Sequence, residues 1–249
     1  MWTAGLVSVS FRALSVEAIC RAAQEAHLAA VEWGSDVHAP CADGERLQTI
    51  AALQRQCGLR CRSYGTYFRL GQTPLAALPP YFAAAKVLGT TVLRLWCGDR
   101  RADAYTEAEK AALFDDCRAA AAMAEAAGMT LCMECHPDTF TETREGAAEL
   151  LRAVDSPAFR MYWQPNQHVT PEENLAYAET VAPYTVNIHV FNWEGSAHLP
   201  LRDGLTVWRR YLRAFDGTQG LLLEFMPDGR PESLPREAAA LAELIGGES

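Results

Sequence analysis

The sequence predicts an α/β fold, a single-domain (β/α)8 barrel, on three observations. Short β-rich runs alternate eight times with Ala-, Leu- and Glu-rich stretches of helical spacing. Each unit takes about 30 residues, the rhythm of strand–helix–strand units in a parallel sheet. The chain has 249 residues, close to the length of about 250 typical of such barrels.

The elements follow in order. The run Gly5–Ser10 leads into helical Val16–His27, with Ser15 placed to cap it. Ala29–Trp33 precedes Glu45–Cys57, and Gly58 stands where a left-handed residue ends a helix. Leu59–Tyr64 precedes Leu75–Leu88, which Gly89 closes, and Thr91–Trp96 precedes Glu107–Ala127, which Gly128 closes. Met129–Cys135 and Phe159–Trp163 lead into Glu145–Val154 and Pro171–Ala182, the latter opened by a Thr170 cap with proline in the first turn. Thr185–Phe191 and Gly220–Phe225 precede Leu205–Ala214 and Arg236–Ile245. Eight units favour a closed barrel. An open doubly wound sheet is the alternative, but no Gly-rich phosphate fingerprint follows the first strand. With no linker or break in composition, residues 1–249 read as one domain. The longer segments Asn192–Gly204 and Pro227–Leu234 read as active-site loops.

Composition narrows the function. A net charge of −9 argues against a nucleic-acid partner, because phosphate backbones need clustered Lys and Arg. Arg209, Arg210 and Arg213 read as one exposed helix face. No basic leader precedes the first strand, and no apolar run reaches the roughly 20 residues of a membrane span. The expectation is a soluble, cytoplasmic protein with a small-molecule partner and no membrane partner. The eight cysteines lie in apolar segments, as reduced, buried side chains do. Cys132 and Cys135 form a C-x-x-C within a strand, where residues three apart face opposite ways, so neither a bridge nor a shared metal is expected.

Reactive groups in such barrels gather at the C-terminal strand ends, and charges inside apolar strands need a partner or a metal. Four successive strands end in one such residue: Glu134, Gln164, His189 and Glu224. Facing one axis, these offer two carboxylates, an amide oxygen and an imidazole, an oxygen-rich set suited to Mn²⁺ or Mg²⁺. Each alone has an ordinary structural reading, as a solvated or hydrogen-bonded residue; the recurrence on four strands makes the set a candidate site. On the same reasoning, His136 shares a strand face with Glu134 if the strand continues that far, and His168 lies four residues beyond Gln164. Tyr64, Tyr67 and Arg69, Arg94, Trp96 and Asp99, Trp33 and His38, and Asn192 and Trp193 follow strand ends and are pocket candidates.

These residues, with Val31-Glu32-Trp33-Gly34 on the second strand, resemble the xylose isomerase-like TIM barrel superfamily of sugar-phosphate isomerases and epimerases over essentially the whole chain. The resemblance implies a metal-assisted isomerase or epimerase acting next to a carbonyl. It assigns the metal to Glu134, Gln164, His189 and Glu224 and proton exchange to Glu134 and Glu224. From their places near strand ends, and not from the resemblance, His136, His168, Tyr64, Arg94, Trp96, Asn192 and Trp193 are expected to contact the substrate. The resemblance also implies a homo-oligomer, for which the sequence shows no interface. The departure is Gln164, which stands where the family usually has an aspartate and removes one negative charge from the metal site. His168 or His136 could supply the missing ligand. Two alternatives stay open: a lyase like the inosose dehydratases of the superfamily, and a metal-free barrel that binds a small molecule. An apurinic-site endonuclease needs many more ligands than six histidines and this acidic chain supply.

Overall fold

A computed structural model describes residues 1–246. Its strands are β1 Thr3–Val7, β2 Ala30–Gly34, β3 Arg60–Leu70, β4 Val92–Cys97, β5 Thr130–Glu134, β6 Phe159–Trp163, β7 Thr185–Val190, β8 Asn192–Glu194, β9 Ala197–Leu199 and β10 Gly220–Leu223. Its helices are α1 Val16–Glu25, α2 Gly44–Gln56, α3 Pro79–Leu88, α4 Glu107–Ala127, α5 Arg144–Val154, α6 Pro171–Val181, α7 Leu205–Leu212 and α8 Leu234–Gly246. Eight parallel strands close in the order β1-β10-β7-β6-β5-β4-β3-β2, with one helix after each. The fold is a (β/α)8 barrel.

The expected punctuation is in place. Ser15 caps α1, Thr170 forms a reciprocal capping box with Glu173, and Gly89 and Gly128 end their helices in the left-handed region. Three segments differ most from the sequence reading, the first being β3, which runs on to Leu70 where Tyr64 was expected to end it. β1 ends at Val7 because Ser8–Phe11 turns into a 3-10 helix. The stretch after β7, read as a loop, begins with the antiparallel β8–β9 hairpin, on which Trp193 and His198 stack 4.3 Å apart.

Alternation along the strands builds two cores. Leu131, Met133 and Cys135 pack outward among the helices, and Cys132 packs inside the barrel with Val7, Val9, Tyr162 and Leu222. Cys132 and Cys135 therefore face apart, as their spacing requires. Pairing slips three times, once between β3 and β4 from Gly65 to Arg69 and twice deeper in the barrel. Glu32 aligns with Ser63 although Val31 aligns with Cys61, and Tyr162 aligns with Asn187 although Met161 aligns with Thr185. Such bulges re-aim side chains locally, and the two deeper ones fall where the barrel interior is polar.

Candidate active site

The C-terminal end of the barrel holds a cavity of about 230 Å³ whose lining includes Glu134, Gln164, Glu224, His136, Arg94 and Trp96. His189 lies beneath them, fully buried at the end of β7. Its Nδ1 is 3.0 Å from Gln164 Oε1, 3.2 Å from Glu134 Oε1 and 3.4 Å from Glu224 Oε2. Three strand ends thus aim one oxygen each at one nitrogen of the fourth. The four residues expected to meet do meet.

Beneath the cavity lies a second charged layer. Glu32, fully buried on β2, accepts hydrogen bonds from Arg94 Nε at 2.9 Å, Ser63 Oγ at 2.8 Å and the Tyr162 hydroxyl at 2.5 Å. Arg94 bridges the layers, because its Nη1 donates to Glu134 Oε2, which also accepts from Trp96 Nε1 at 2.5 Å. Asn187 Nδ2 donates to the Tyr162 hydroxyl at 2.6 Å, and Arg62 Nε donates to Asn187 Oδ1 at 2.7 Å, carrying the polar chain toward the far end of the barrel.

Room for the buried pair comes from a missing side chain. A Cβ on Gly65 would stand 2.6 Å from Glu32 Oε1 and 2.9 Å from Arg94 Nη2. Gly65→Ala is therefore expected to cost about 1–3 kcal/mol, as overpacking does in a dense core. Thermal denaturation checks this; an unchanged Tm would mean that the pair yields space freely.

Electrostatics separate the carboxylates. Burial opposes ionisation of Glu32, but Arg94, His189 and Tyr162 outweigh it and hold the carboxyl at about 2. For Glu134, burial is likewise overcome, first by Arg94 and then by His189, and its pKa falls well below the carboxylate range. Glu224 moves the other way. Burial and the nearby charges of Glu134 and Glu32 lift it, against the pull of His189 and Arg94. Burial disfavours the imidazolium of His189, yet Glu224, Glu32 and Glu134 raise it to about 10.

This layer fits a divalent cation. Octahedral ligands about 2.1 Å from Mg²⁺ lie about 3 Å from one another, close to the spacings around His189 Nδ1. Glu134, His189 and Glu224 each offer an atom within 4.8 Å of the others. Charge agrees as well: three buried carboxylates against Arg94 leave two negative charges for a dication to balance when the imidazole is neutral.

A model of the xylose isomerase-like TIM barrel matches residues 20–244. The chain belongs to this family. No curated protein matches it in sequence. Among solved structures, the probable 3-DHS dehydratase AsbF of petrobactin synthesis from Bacillus anthracis is similar, with a TM-score of 0.81, 16% identity, and 98% of this chain and 99% of that one covered. An L-ribulose 3-epimerase follows with a TM-score of 0.76, 16% identity, and 98% and 94% covered. A D-psicose 3-epimerase from Clostridium cellulolyticum H10, solved with D-tagatose, gives 0.74, 12% identity, and 98% of each chain. At such identities the likeness concerns the fold.

Within this family frame the other candidates divide. His136 lines the cavity, 4.9 Å from the Trp96 ring, and its Nδ1 donates to the Pro137 carbonyl at 2.8 Å. Trp193 forms an opposite wall with Phe191 and Phe225. Phe225 takes a positive φ of 54° directly after Glu224, a costly conformation that turns the chain at the cavity edge. Arg69 supports the first wall by stacking on Trp96 at 4.9 Å.

Several expectations need correction. Tyr64 is buried on the helix-facing side, its hydroxyl bonded to the Ala39 carbonyl, and Tyr67 takes the place by the cavity. Trp33 also faces the helices, donating to Gln54 at 2.8 Å, and His38 is buried beside Ser8. His168 is exposed and does not line the cavity, which Gln167 reaches instead. Asn192 bonds the Pro200 carbonyl at 2.9 Å and borders a neighbouring cavity. Asp99 sits at the surface with Arg100 and Tyr105. Arg94 is at the site but spent on two glutamates, so it is not a free anion binder. Glu32 and Tyr162 were missed as site residues. The signal for Glu32 was present: a carboxylate in β2 and a guanidinium in β4, each in an apolar run, can satisfy each other. Among the described residues, no helix is long and apolar enough to cross a membrane.

Proposed function

We propose that this chain is an enzyme that removes a proton next to the carbonyl of a small hydroxylated ketone. The observation that carries this reading is the convergence of Glu134, Gln164 and Glu224 oxygens on His189 Nδ1 in a cavity with aromatic walls. Glu134, His189 and Glu224, with the Gln164 amide oxygen, would hold the cation. Bound Mn²⁺ or Mg²⁺ supplies Lewis-acid polarisation of a carbonyl oxygen.

The chain's own groups divide the proton work unequally. Glu134 is a ligand and a poor base, because one of its oxygens already accepts from Arg94 and Trp96. Glu224 is the better base: its proton affinity is lifted, and among the described residues its one ion-pair partner is His189. His136, with Nδ1 donating to the Pro137 carbonyl, keeps a lone pair on Nε2 in its neutral form and is the second proton carrier. The exchange expected between two glutamates thus becomes one between Glu224 and His136. Trp96 and Trp193 offer flat faces for the C–H surface of the substrate, and Arg12 and Tyr67 stand at the rim for its hydroxyls.

That inequality also supports a second reading, elimination of a β-hydroxyl. Epimerisation needs comparable bases on both faces, whereas elimination needs one base for carbon and one acid for the leaving oxygen. The similar structures include both a dehydratase and epimerases, so the fold does not choose. The test is to incubate the Mn²⁺-loaded protein in deuterium oxide with D-psicose, D-tagatose, L-ribulose and 3-DHS. Deuterium entering a carbon beside the carbonyl is expected. An epimer or isomer identifies the first reaction and a dehydrated product the second. Tight metal binding without exchange into any of them would count against the proposal and favour a binding protein.

A further inference from the structure

His189 has two ring nitrogens in different chemical surroundings. Nδ1 meets the three oxygens of the cation layer. Nε2 is buried, has no hydrogen-bond partner among the described residues, and lies 3.6 Å from Glu32 Oε1. A neutral imidazole carries one N–H, and a metal needs the nitrogen without it. A negative charge beside Nε2 favours the proton there and leaves the Nδ1 lone pair for the cation. At 3.6 Å the contact is longer than a hydrogen bond, but inside a buried core a unit charge at that distance still sets a preference.

Glu32 is itself held in place. Arg94, Ser63 and Tyr162 bond its two oxygens, and Asn187 with Arg62 anchors Tyr162 from below. Two of the three slips in strand pairing fall on this network, one placing Ser63 opposite Glu32 and the other placing Asn187 opposite Tyr162. Gly65 and Gly220 leave the space it occupies, since a Cβ at 65 would meet Glu32 and one at 220 would meet Asn187 and Arg62. Backbone register and missing side chains both serve this one carboxylate.

We infer that Glu32 is a positioning residue for the metal centre, setting the tautomer and orientation of His189 from below. This rests on the reading of Glu134, His189 and Glu224 as the cation's ligands. A carboxylate behind a ligating histidine typically carries about 10–100-fold in metal affinity. A purely structural Glu32, serving only as counter-charge to Arg94, would leave that affinity nearly unchanged once the protein is folded.

Mn²⁺ titration followed by electron paramagnetic resonance tests the inference, with circular dichroism melts of each variant. Glu32→Gln keeps the size and an acceptor oxygen but removes the charge, and should weaken Mn²⁺ binding about 10–100-fold. Tyr162→Phe keeps the charge but loosens its hold, and should weaken binding less, in the same direction. It decides the matter if Glu32→Gln does not fold. In the double variant Glu32→Gln with Arg94→Gln, affinity should stay low; its recovery would assign Glu32 to Arg94 alone and overturn the inference. Folded variants with Mn²⁺ affinity within about threefold of the parent, well short of the 10–100-fold effect, would also overturn it. A parent protein that takes up no Mn²⁺ would remove the ligand reading as well.

Discussion

Glu224→Gln should lower kcat for exchange beside the carbonyl by about 10²–10⁴-fold, the usual contribution of a positioned acid–base group. The amide keeps the size and an oxygen toward His189, so at saturating Mn²⁺ the loss should fall on kcat more than on KM. Glu134→Gln should behave differently. With Arg94 and Trp96 already on one of its oxygens, its change should appear mainly as weaker metal binding, and excess metal should restore much of the rate. The comparison separates a base from a ligand. Near-normal kcat in Glu224→Gln, or an equal and unrescued kcat loss in both variants, would refute the division of roles.

Arg94→Met should carry the largest stability cost. Arg94 is 3% exposed and balances Glu32 and Glu134, which are 0% and 2% exposed. Removing one member of a buried charge cluster typically costs about 3–5 kcal/mol, because the remaining charges stay desolvated and unpaired. For a chain of this size that is a fall in Tm of roughly 6–20 °C. The pH dependence has a definite sign. The folded pKa values of Glu32 and Glu134 are depressed, so their contribution is fully present above the ordinary carboxylate range and is lost as the pH falls toward about 2. Without Arg94 both carboxyls protonate more readily, and metal-free Arg94→Met should therefore bury them at lower cost in mild acid. Its deficit relative to the parent should shrink as the pH falls from neutrality. Melts across that range check this; a deficit independent of pH would mean that packing of the long side chain, rather than its charge, is what Arg94 contributes.

The candidate site was legible only in part, and the reason is visible in particular residues. Glu134, Gln164, His189 and Glu224 could be read because each is a polar residue at the end of an apolar strand, and barrel closure brings strand ends together whatever the helices do. Tyr64 and His168 were assigned by nearness to strand ends alone. Tyr64 turned outward because side chains alternate along β3, and His168 turned to solvent because the chain leaves β6 before it. Trp193 reached the cavity wall on a hairpin where an irregular loop was expected.

Period, punctuation and length in the sequence alone determined the barrel, because strand–helix alternation with capped helices leaves few other ways to bury so much apolar surface. The strand-end polar residues determined where its chemistry would lie. Only the tertiary structure decided which polar groups are already spent on one another. The Arg94 bridge between Glu32 and Glu134 joins residues 62 and 40 positions apart, and two slips in strand register bring Ser63 and Asn187 into the same network. Such pairings depend on distances across a closed barrel, and local residue order does not encode them.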